Sequence, residues 1–146
     1  MTTLNKTAAE VVIAGDFAVH AMTDVTGFGL IGHVREVARG SGISVRLFAG
    51  KVPVLEGALE CVERGYIPGG LKANRGFAES CVEYASDVQE DLRMLLYDPQ
   101  TAGGLLISVG ASDAERLLAQ LVKAGVSAVE IGNVVEKQKP LIAVGA

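Results

Sequence analysis

The sequence predicts one domain of the α+β or α/β layered class, because stretches with a strand period and stretches with a helical period are mixed along the chain. The 146 residues are enough for a domain with a hydrophobic core. Apolar residues make up 49% of the chain and charged residues 21%, which is typical of globular rather than disordered proteins. These observations favour a folded domain built from layers of helices and strands.

Charge and hydropathy exclude several kinds of partner. The net charge is −4 and no run of Lys and Arg exceeds two residues, which argues against nucleic acid or a membrane surface as a partner. No apolar run approaches the roughly 18 residues of a membrane span, and no signal peptide opens the chain, so we expect a cytoplasmic protein. Cys61 and Cys81 lack the spacing of metal ligands and are expected to be free, buried thiols.

The first predicted element is a helix within residues 2–13, which could start at Thr7 or nearer Leu4. Thr7 and Glu10 have the spacing of a capping box, in which each side chain satisfies a backbone N–H of the other residue. Since the helix begins abruptly, the start of the chain could be a cut made inside a longer protein.

The stretch from Ala21 to His33 indicates the end of a strand, a polar turn and then a helix. Thr23 to Gly29 is dense in hydroxyls and glycine, with a single carboxylate at Asp24. From there on the apolar residues recur with the spacing of one helical face: Leu30, Ile31, Val34, Val37 and Ala38. N–H groups at the start of a helix lack intrahelical partners and favour anions, so a carboxylate beside them suggests a metal–phosphate site.

A simpler interpretation of the same turn stays open. Asp24 or Thr26 could merely cap the helix, while the glycines permit a tight turn. The local sequence alone favours this second interpretation.

Gly42 is expected to end that helix, and the alternation of residues 43–49 predicts a half-buried strand with Ser44 on its polar side. A helix is then predicted from Pro53 to Gly65, since proline is tolerated at the first helical position. Its predicted buried face consists of Leu55, Ala58, Leu59 and Val62.

Residues 66–76 show neither a helical nor a strand period, so an exposed, irregular loop is predicted there. Lys72, Asn74 and Arg75 in this loop could contact a phosphate. The alternative, an ordinary surface loop, is favoured.

The second half of the chain repeats the pattern of a helix, a polar turn and a strand. A short strand at residues 80–85 precedes a helix that begins at Asp87 with Glu90 as its capping partner. Residues 97–104 form a second glycine-rich polar turn, which leads into a predicted central strand at 105–109.

The most regular helical pattern spans Ser112 to Gly125, with Ser112 and Glu115 as a capping box. Two strand regions, 129–135 and 141–144, complete the predicted domain. The apolar stripe of the helix consists of Ala114, Leu117, Leu118, Leu121 and Val122.

Three motifs resemble the C-terminal domain of the selenophosphate synthetase (selenide, water dikinase) family, within the aminoimidazole ribonucleotide synthetase superfamily. They are Thr-Asp-Val-Thr-Gly-Phe-Gly-Leu-Ile-Gly-His at 23–33, Pro-Gly-Gly…Asn at 68–74 and Asp-Pro-Gln-Thr-Ala-Gly-Gly-Leu-Leu at 98–106. They occur in the order found in the family, and the resemblance covers nearly the whole chain.

The resemblance implies a three-layer α/β/α sandwich with a mixed sheet, in which residues 1–146 form the C-terminal half of a two-domain enzyme. Such an enzyme makes selenophosphate, AMP and phosphate from ATP, selenide and water. Its subunits pair as a homodimer, and its N-terminal domain carries the reactive Cys, a Lys and most of the metal-binding aspartates. We therefore expect this chain to be inactive alone and to contain no catalytic residue of its own.

The resemblance also assigns roles to the site residues. Asp24 corresponds to a magnesium ligand of the family, and one aspartate cannot hold Mg²⁺ alone, because the ion takes six oxygen ligands. His33, at the edge of its helix, is expected to be a packed, hydrogen-bonded residue rather than a catalyst. Seven further residues of the motifs are candidates for binding ATP: Thr23, Thr26, Gly27, Gly29, Asn74, Gln100 and Thr101.

Two alternatives remain. The chain could be a non-catalytic module that retains only packing and dimerisation. It could also belong to another branch of the superfamily, such as the hydrogenase-maturation carbamoyl dehydratase, although the Gly-Phe-Gly-Leu-Ile-Gly-His string at residues 27–33 favours the selenophosphate branch.

Overall fold

The computed structural model describes residues 3–146, so residue 2 of the first predicted helix lies outside the described part of the chain. Helices and strands alternate irregularly along these residues, as the sequence predicts. The helices are α1 (Lys6–Ala14), α2 (Gly29–Ser41), α3 (Ala58–Glu63), α4 (Gly69–Ala78), α5 (Glu90–Leu95) and α6 (Ala111–Lys123). The strands are β1 (Val19–Asp24), β2 (Ser44–Phe48), β3 (Val82–Tyr84), β4 (Leu105–Val109), β5 (Gly132–Val135) and β6 (Ile142–Gly145).

The strands form two hydrogen-bonded sheets. The larger is a mixed sheet of four strands in the order β3-β6-β2-β5, in which β6 runs parallel to both neighbours and β5 antiparallel to β2. The smaller is an antiparallel ribbon of β1 and β4. The predicted class, α/β with a mixed sheet, is therefore confirmed. The prediction that β4 is a central strand is wrong for the described residues, since β4 pairs with β1 alone.

Two clusters of buried apolar residues hold these elements together. The larger cluster joins α2 and α4 to the four-stranded sheet, with Ile31, Leu71 and Ile142 almost completely buried. The smaller lies between α1, α6 and the β1–β4 ribbon, centred on Leu117 and Leu121. Among the described residues, none of the helices combines the length and the apolar character that a membrane crossing requires.

The predicted helix from Pro53 to Gly65 is much shorter in the structure. It begins at Ala58, because Gly57 before it adopts a left-handed backbone (φ 77°) that a helix cannot include. Of its predicted buried face only Val62 is buried, whereas Leu55 and Leu59 are 69% and 42% exposed.

The prediction of an irregular loop over residues 66–76 holds for residues 66–68 and is wrong from Gly69 onward. Helix α4 begins at Gly69, directly after Pro68, whose extended backbone ends the preceding turn. The two glycines occupy the first helical turn, where a side chain at Gly70 would press against Pro99. Burial of Leu71 and Ala78 holds the helix against the core, so tertiary packing overrides the low helix propensity of glycine.

The predicted capping boxes are also wrong. Thr7 lies inside α1, and α5 and α6 are preceded by Gln89 and Gly110, which make no side-chain cap. Asp113 in the first turn of α6 instead accepts a hydrogen bond from the N–H of Ala18 (2.9 Å), which ties this helix to the start of β1. That bond lowers the pKa of Asp113, with a smaller contribution from Arg116.

Three predictions of side-chain burial also fail. Ser44 is buried, because its hydroxyl donates to the carbonyl of Gln138 (3.0 Å) and accepts the N–H of the same residue (2.9 Å). Val122, at the edge of the predicted stripe of α6, is 58% exposed. Both cysteines are free as predicted, but Cys61 is exposed.

Candidate functional site

The first and third motifs meet at one end of the β1–β4 ribbon. In the antiparallel register Asp24 lies opposite Leu105, so the turn that follows β1 and the loop that precedes β4 leave the ribbon side by side. Three backbone hydrogen bonds continue the pairing beyond the strands: Val25 N–H to Gly104 O (3.0 Å), Gly103 N–H to Val25 O (2.8 Å) and Gln100 N–H to Thr26 O (3.0 Å). We call the turn at residues 24–29 and the loop at residues 97–104 the motif junction.

The second motif reaches the motif junction through one amide side chain. Asn74 lies on α4, and its Nδ2 donates to the carbonyl of Gly27 (2.8 Å) and to the carbonyl of Tyr97 (3.0 Å). Both of its N–H donors are therefore used to hold the first motif against the third. The three motifs that the sequence singled out thus form one structural unit.

Glycine is required at position 29 of the motif junction. Gly29 has φ +68°, and a Cβ atom there would lie 2.6 Å from the carbonyl carbon of Tyr97 and 2.7 Å from its oxygen. Two residues later, Ile31 N–H donates to the carbonyl of Leu96 (3.0 Å). The N–H of Gly29 donates to the carbonyl of Thr26 (3.1 Å). Protein carbonyls therefore already accept hydrogen bonds from Gly29 and Ile31, two of the N–H groups at the start of α2 that an anion could otherwise use.

Tyr97 anchors the loop before β4. Its side chain is completely buried, and its hydroxyl accepts a hydrogen bond from the hydroxyl of Tyr84 on β3 (2.8 Å). Burial is the main cause that raises the pKa of both phenols above their usual value, so both rings stay neutral in the folded protein. Burial also raises the pKa of Asp98, the next residue, which sequence reasoning did not include among the site residues.

Asp24 is exposed at the end of β1. Helix α2 is preceded by Phe28, which makes no side-chain cap, and Thr26 contributes its backbone carbonyl to the turn, so the interpretation of Asp24 or Thr26 as a helix cap is wrong. An exposed carboxylate suits Mg²⁺, which prefers oxygen ligands and keeps several waters. Within residues 3–146 no group of three or more His, Cys, Asp or Glu side chains could hold a metal ion.

The other candidate residues divide between the surface and the interior of the motif junction. Gly27 is exposed, with open space where a side chain would be, and Thr101 is exposed on the neighbouring loop. Thr23, Thr26 and Gln100 are half-buried. Thus Asp24, Gly27 and Thr101 are each exposed at the junction, whereas Gly29 is buried against the backbone of Tyr97.

Two of the three polar side chains within residues 66–76 that could contact a phosphate are already paired. Asn74 holds the motif junction together, and Arg75 forms ion pairs with Glu79 (2.8 Å) and Glu90. The hydrogen bonds to Glu90 and Glu79 raise the pKa of Arg75. Lys72 remains exposed on the surface of α4.

His33 is hydrogen-bonded, as predicted. Its Nε2 lies 3.0 Å from the backbone nitrogen of Thr26 and 3.3 Å from the hydroxyl of the same residue. Sequence reasoning missed the aromatic pair beside it, in which Phe28 and Phe77 stack with ring centroids 6.2 Å apart and Arg35 covers the Phe77 ring. Phe28 lies inside the first motif, so the sequence did draw attention to one ring of this pair. The other ring, Phe77, lies on α4, a helix that the sequence did not predict.

Comparison with protein families gives one match over nearly the whole chain. Residues 1–144 match the family described as AIR synthase related protein, C-terminal domain. Among solved structures, the crystal structure of the Escherichia coli hydrogenase maturation protein HypE is similar, with a TM-score of 0.58 over 94% of this chain and 34% of HypE. At 19% identity this likeness concerns the fold alone.

Curated relatives at higher identity carry the name selenide, water dikinase. The protein of that name from Pelobacter propionicus is 47% identical over 94% of this chain, and that from Clostridioides difficile is 40% identical over 99%. Selenide, water dikinase 2 of Peptoclostridium acidaminophilum is 39% identical over 99% of the chain. The matches span 39–41% of the length of these relatives, so the chain corresponds to about two-fifths of each.

Proposed function

The chain belongs to the family of AIR synthase related protein C-terminal domains, and from this premise we propose that it is the C-terminal domain of a selenide, water dikinase. The complete enzyme would make selenophosphate, AMP and phosphate from ATP, selenide and water in the cytoplasm. In this proposal an N-terminal domain supplies the reactive Cys and Lys, and two subunits form a homodimer.

One observation carries the proposal for this domain. Asp24 is exposed at the end of a strand, beside a turn that two other motifs hold in place, and it does not cap the helix that follows. The proposal gives this carboxylate the role of one magnesium ligand. The remaining ligands would come from the N-terminal domain, ATP and water.

Each part of the motif junction has a physical task in this proposal. Mg²⁺, when bound, would neutralise charge on the phosphates of ATP, on which phosphoryl transfer mostly depends. Asp24 offers an anionic oxygen to the ion. The hydroxyls of Thr23, Thr26 and Thr101, the amide of Gln100 and the open backbone at Gly27 can bind and orient polar groups of the nucleotide. Gly29 and Asn74 act less directly, because they bring these groups together.

The proposal is tested by Asp24→Asn in the full-length enzyme. Asn is nearly isosteric but offers no negative oxygen, so we expect ATP turnover at limiting Mg²⁺ to fall about 10-fold or more, since even changes around a metal's ligands cost about 10–100-fold. The melting temperature should stay unchanged, because the side chain is exposed and caps no helix. The measurement is ATP consumption across a Mg²⁺ titration with selenide present.

Two controls accompany this experiment. Asp87→Asn changes another exposed aspartate, outside the motif junction, and should leave the Mg²⁺ titration as in the parent enzyme. The 146-residue chain alone should consume no ATP and make no selenophosphate, because the proposed Cys, Lys and further aspartates lie elsewhere. Parental turnover of Asp24→Asn at limiting Mg²⁺ would contradict the ligand role and favour a domain that only packs or dimerises.

A further inference from the structure

We propose that His33 is a positioning residue for Asp24, because its ring holds the turn that follows this aspartate. The proposal rests on the ligand role of Asp24 proposed above. In this proposal the His33 side chain touches neither ATP nor the metal. It acts through its hydrogen bond to the backbone of Thr26.

The hydrogen bond at His33 defines the state of its ring. A backbone N–H can only donate, so Nε2 of His33, 3.0 Å from the nitrogen of Thr26, must be the acceptor. The ring proton then resides on Nδ1. The Thr26 hydroxyl, 3.3 Å from the same Nε2, is consequently a donor as well.

The peptide groups of Thr26 are held from both sides. Its N–H is bound by His33, and its carbonyl accepts the N–H of Gly29 (3.1 Å) and the N–H of Gln100 (3.0 Å). The residue before it, Val25, is 6% exposed and exchanges two backbone hydrogen bonds with Gly103 and Gly104. Asp24 is therefore attached to a segment whose backbone groups are bonded on every side.

Helix α2 carries the His33 ring into this position. The helix packs on the larger core through Leu30, Ile31 and Val34, all at most 7% exposed, so its backbone has little freedom. The ring of Phe28 lies 5.8 Å from the imidazole, tilted by 58°. Groups that orient a metal ligand in this way commonly affect metal affinity as much as 10- to 100-fold.

Loss of the acceptor should release the turn. With no acceptor at position 33, the half-buried N–H of Thr26 would lose its partner, and the turn would relax to find another. The Asp24 carboxylate, two residues away, would then spend less time where the metal and the phosphates need it. The fold itself would persist, since the core contacts of α2 do not depend on this ring.

The experiment compares two substitutions in the full-length enzyme. His33→Gln keeps an acceptor that can reach the Thr26 N–H, whereas His33→Phe keeps a flat ring without one. We expect His33→Phe to raise the Mg²⁺ concentration for half-maximal ATP turnover about 10-fold and His33→Gln to stay within about 2-fold of the parent. His20→Phe, on the exposed face of β1, is the matched control and should behave as the parent.

Two results would overturn the proposal. His33→Gln could shift the Mg²⁺ dependence as much as His33→Phe does, which would show that an acceptor at position 33 is not what holds the turn. Both could retain the parental dependence while melting earlier, which would make the hydrogen bond purely structural.

A second measurement does not depend on activity. The ¹⁵N and ¹H shifts of His33 in the parent enzyme, assigned by their absence in His33→Gln, report which ring nitrogen carries the proton. A proton on Nδ1 supports the proposal, and a proton on Nε2 overturns it. Failure of the parent enzyme to consume ATP with selenide would instead contradict the proposed function and leave the ring assignment standing.

Discussion

The motif junction and the segment around α3, residues 52–67, both contain glycine and proline, yet they are built differently. At the junction, backbone groups more than 70 residues apart in sequence bond to each other directly, as Val25 does with Gly104. Around α3, Val62 is the buried residue of a six-residue helix, while Leu55 and Tyr66 are 69% and 68% exposed.

The difference teaches what a glycine with positive φ does in each place. Gly29 and Gly57 share nearly the same backbone angle, 68° and 77°. At Gly57 nothing lies within 4 Å of an added Cβ, so glycine there serves the local conformation alone. At Gly29 the backbone of Tyr97 occupies the place of the side chain, so glycine there permits a distant segment to approach.

Substituting both glycines by alanine tests this contrast directly and should give the largest effect. Gly57→Ala should lower the free energy of unfolding by about 1–2 kcal/mol, because a residue with a Cβ is destabilised by about that much in the left-handed conformation. Gly29→Ala adds a clash with backbone that cannot rotate away, so we expect a loss of about 4 kcal/mol or a chain that does not fold. Urea unfolding followed by circular dichroism measures both, and equal losses would show that the close approach is relieved at little cost.

Asn74→Ala should give an intermediate effect, because it removes the amide that joins the second motif to the other two. The carbonyls of Gly27 and Tyr97 would each lose a partner, which predicts a loss of about 2 kcal/mol. Asn133→Ala, an exposed asparagine on β5, is the control and should change stability by about 0.5 kcal/mol or less. A loss at Asn74 no larger than at Asn133 would mean that the junction is held by its backbone bonds alone.

The smallest effect is expected at the hydrogen-bonded hydroxyls of Tyr84 and Tyr97, the second of which belongs to the motif junction. Tyr84→Phe removes the hydrogen bond to Tyr97 and should cost about 1 kcal/mol at pH 7. Because burial raises the pKa of both phenols, the folded protein holds these protons more tightly than the unfolded chain does. Their contribution to stability is therefore complete below the unfolded pKa of about 10 and is lost as pH rises above it.

The pH dependence provides the control for this substitution. Between about pH 9 and pH 11, Tyr84→Phe should lose stability less steeply than the parent, because one of the two raised phenols is gone. Urea unfolding at several pH values measures the slope. An unchanged slope would show that the Tyr84 phenol titrates alike in the folded and unfolded chains.

Local periodicity in the sequence predicts much of the fold but fails where distant contacts decide. The strand, turn and helix around Asp24 and the end of α2 at Gly42 follow from the spacing of apolar residues and the position of glycine, whereas the strand region predicted over residues 129–135 is confirmed only for Gly132–Val135. Helix α4 does not follow from such spacing, because the weak propensity of its glycines is overcome by burial of Leu71 in a core that only the complete fold creates.

The candidate site shows the same division. Two polar, glycine-rich turns stand out between apolar elements of the sequence, whereas the second motif and the role expected of Asp24 come from the resemblance to a known family. The sequence does not show that Asn74 binds two carbonyls, nor that His33 reaches back to Thr26, since both depend on side-chain directions set by tertiary packing. Phe77 was missed for the same reason, as it meets Phe28 only after α4 has packed beside α2.

The pairing of Val25 with Gly104 has a consequence for how the domain folds. It closes a loop of about 80 residues, and the entropy lost in closing a loop grows with its length. The intervening chain contains α2, β2, α3, α4, β3 and α5, and ordering these elements first shortens the free loop that remains to be closed. We therefore expect the motif junction to be among the last parts of the chain to reach native structure, so that Asp24 comes into position only in molecules that are otherwise complete.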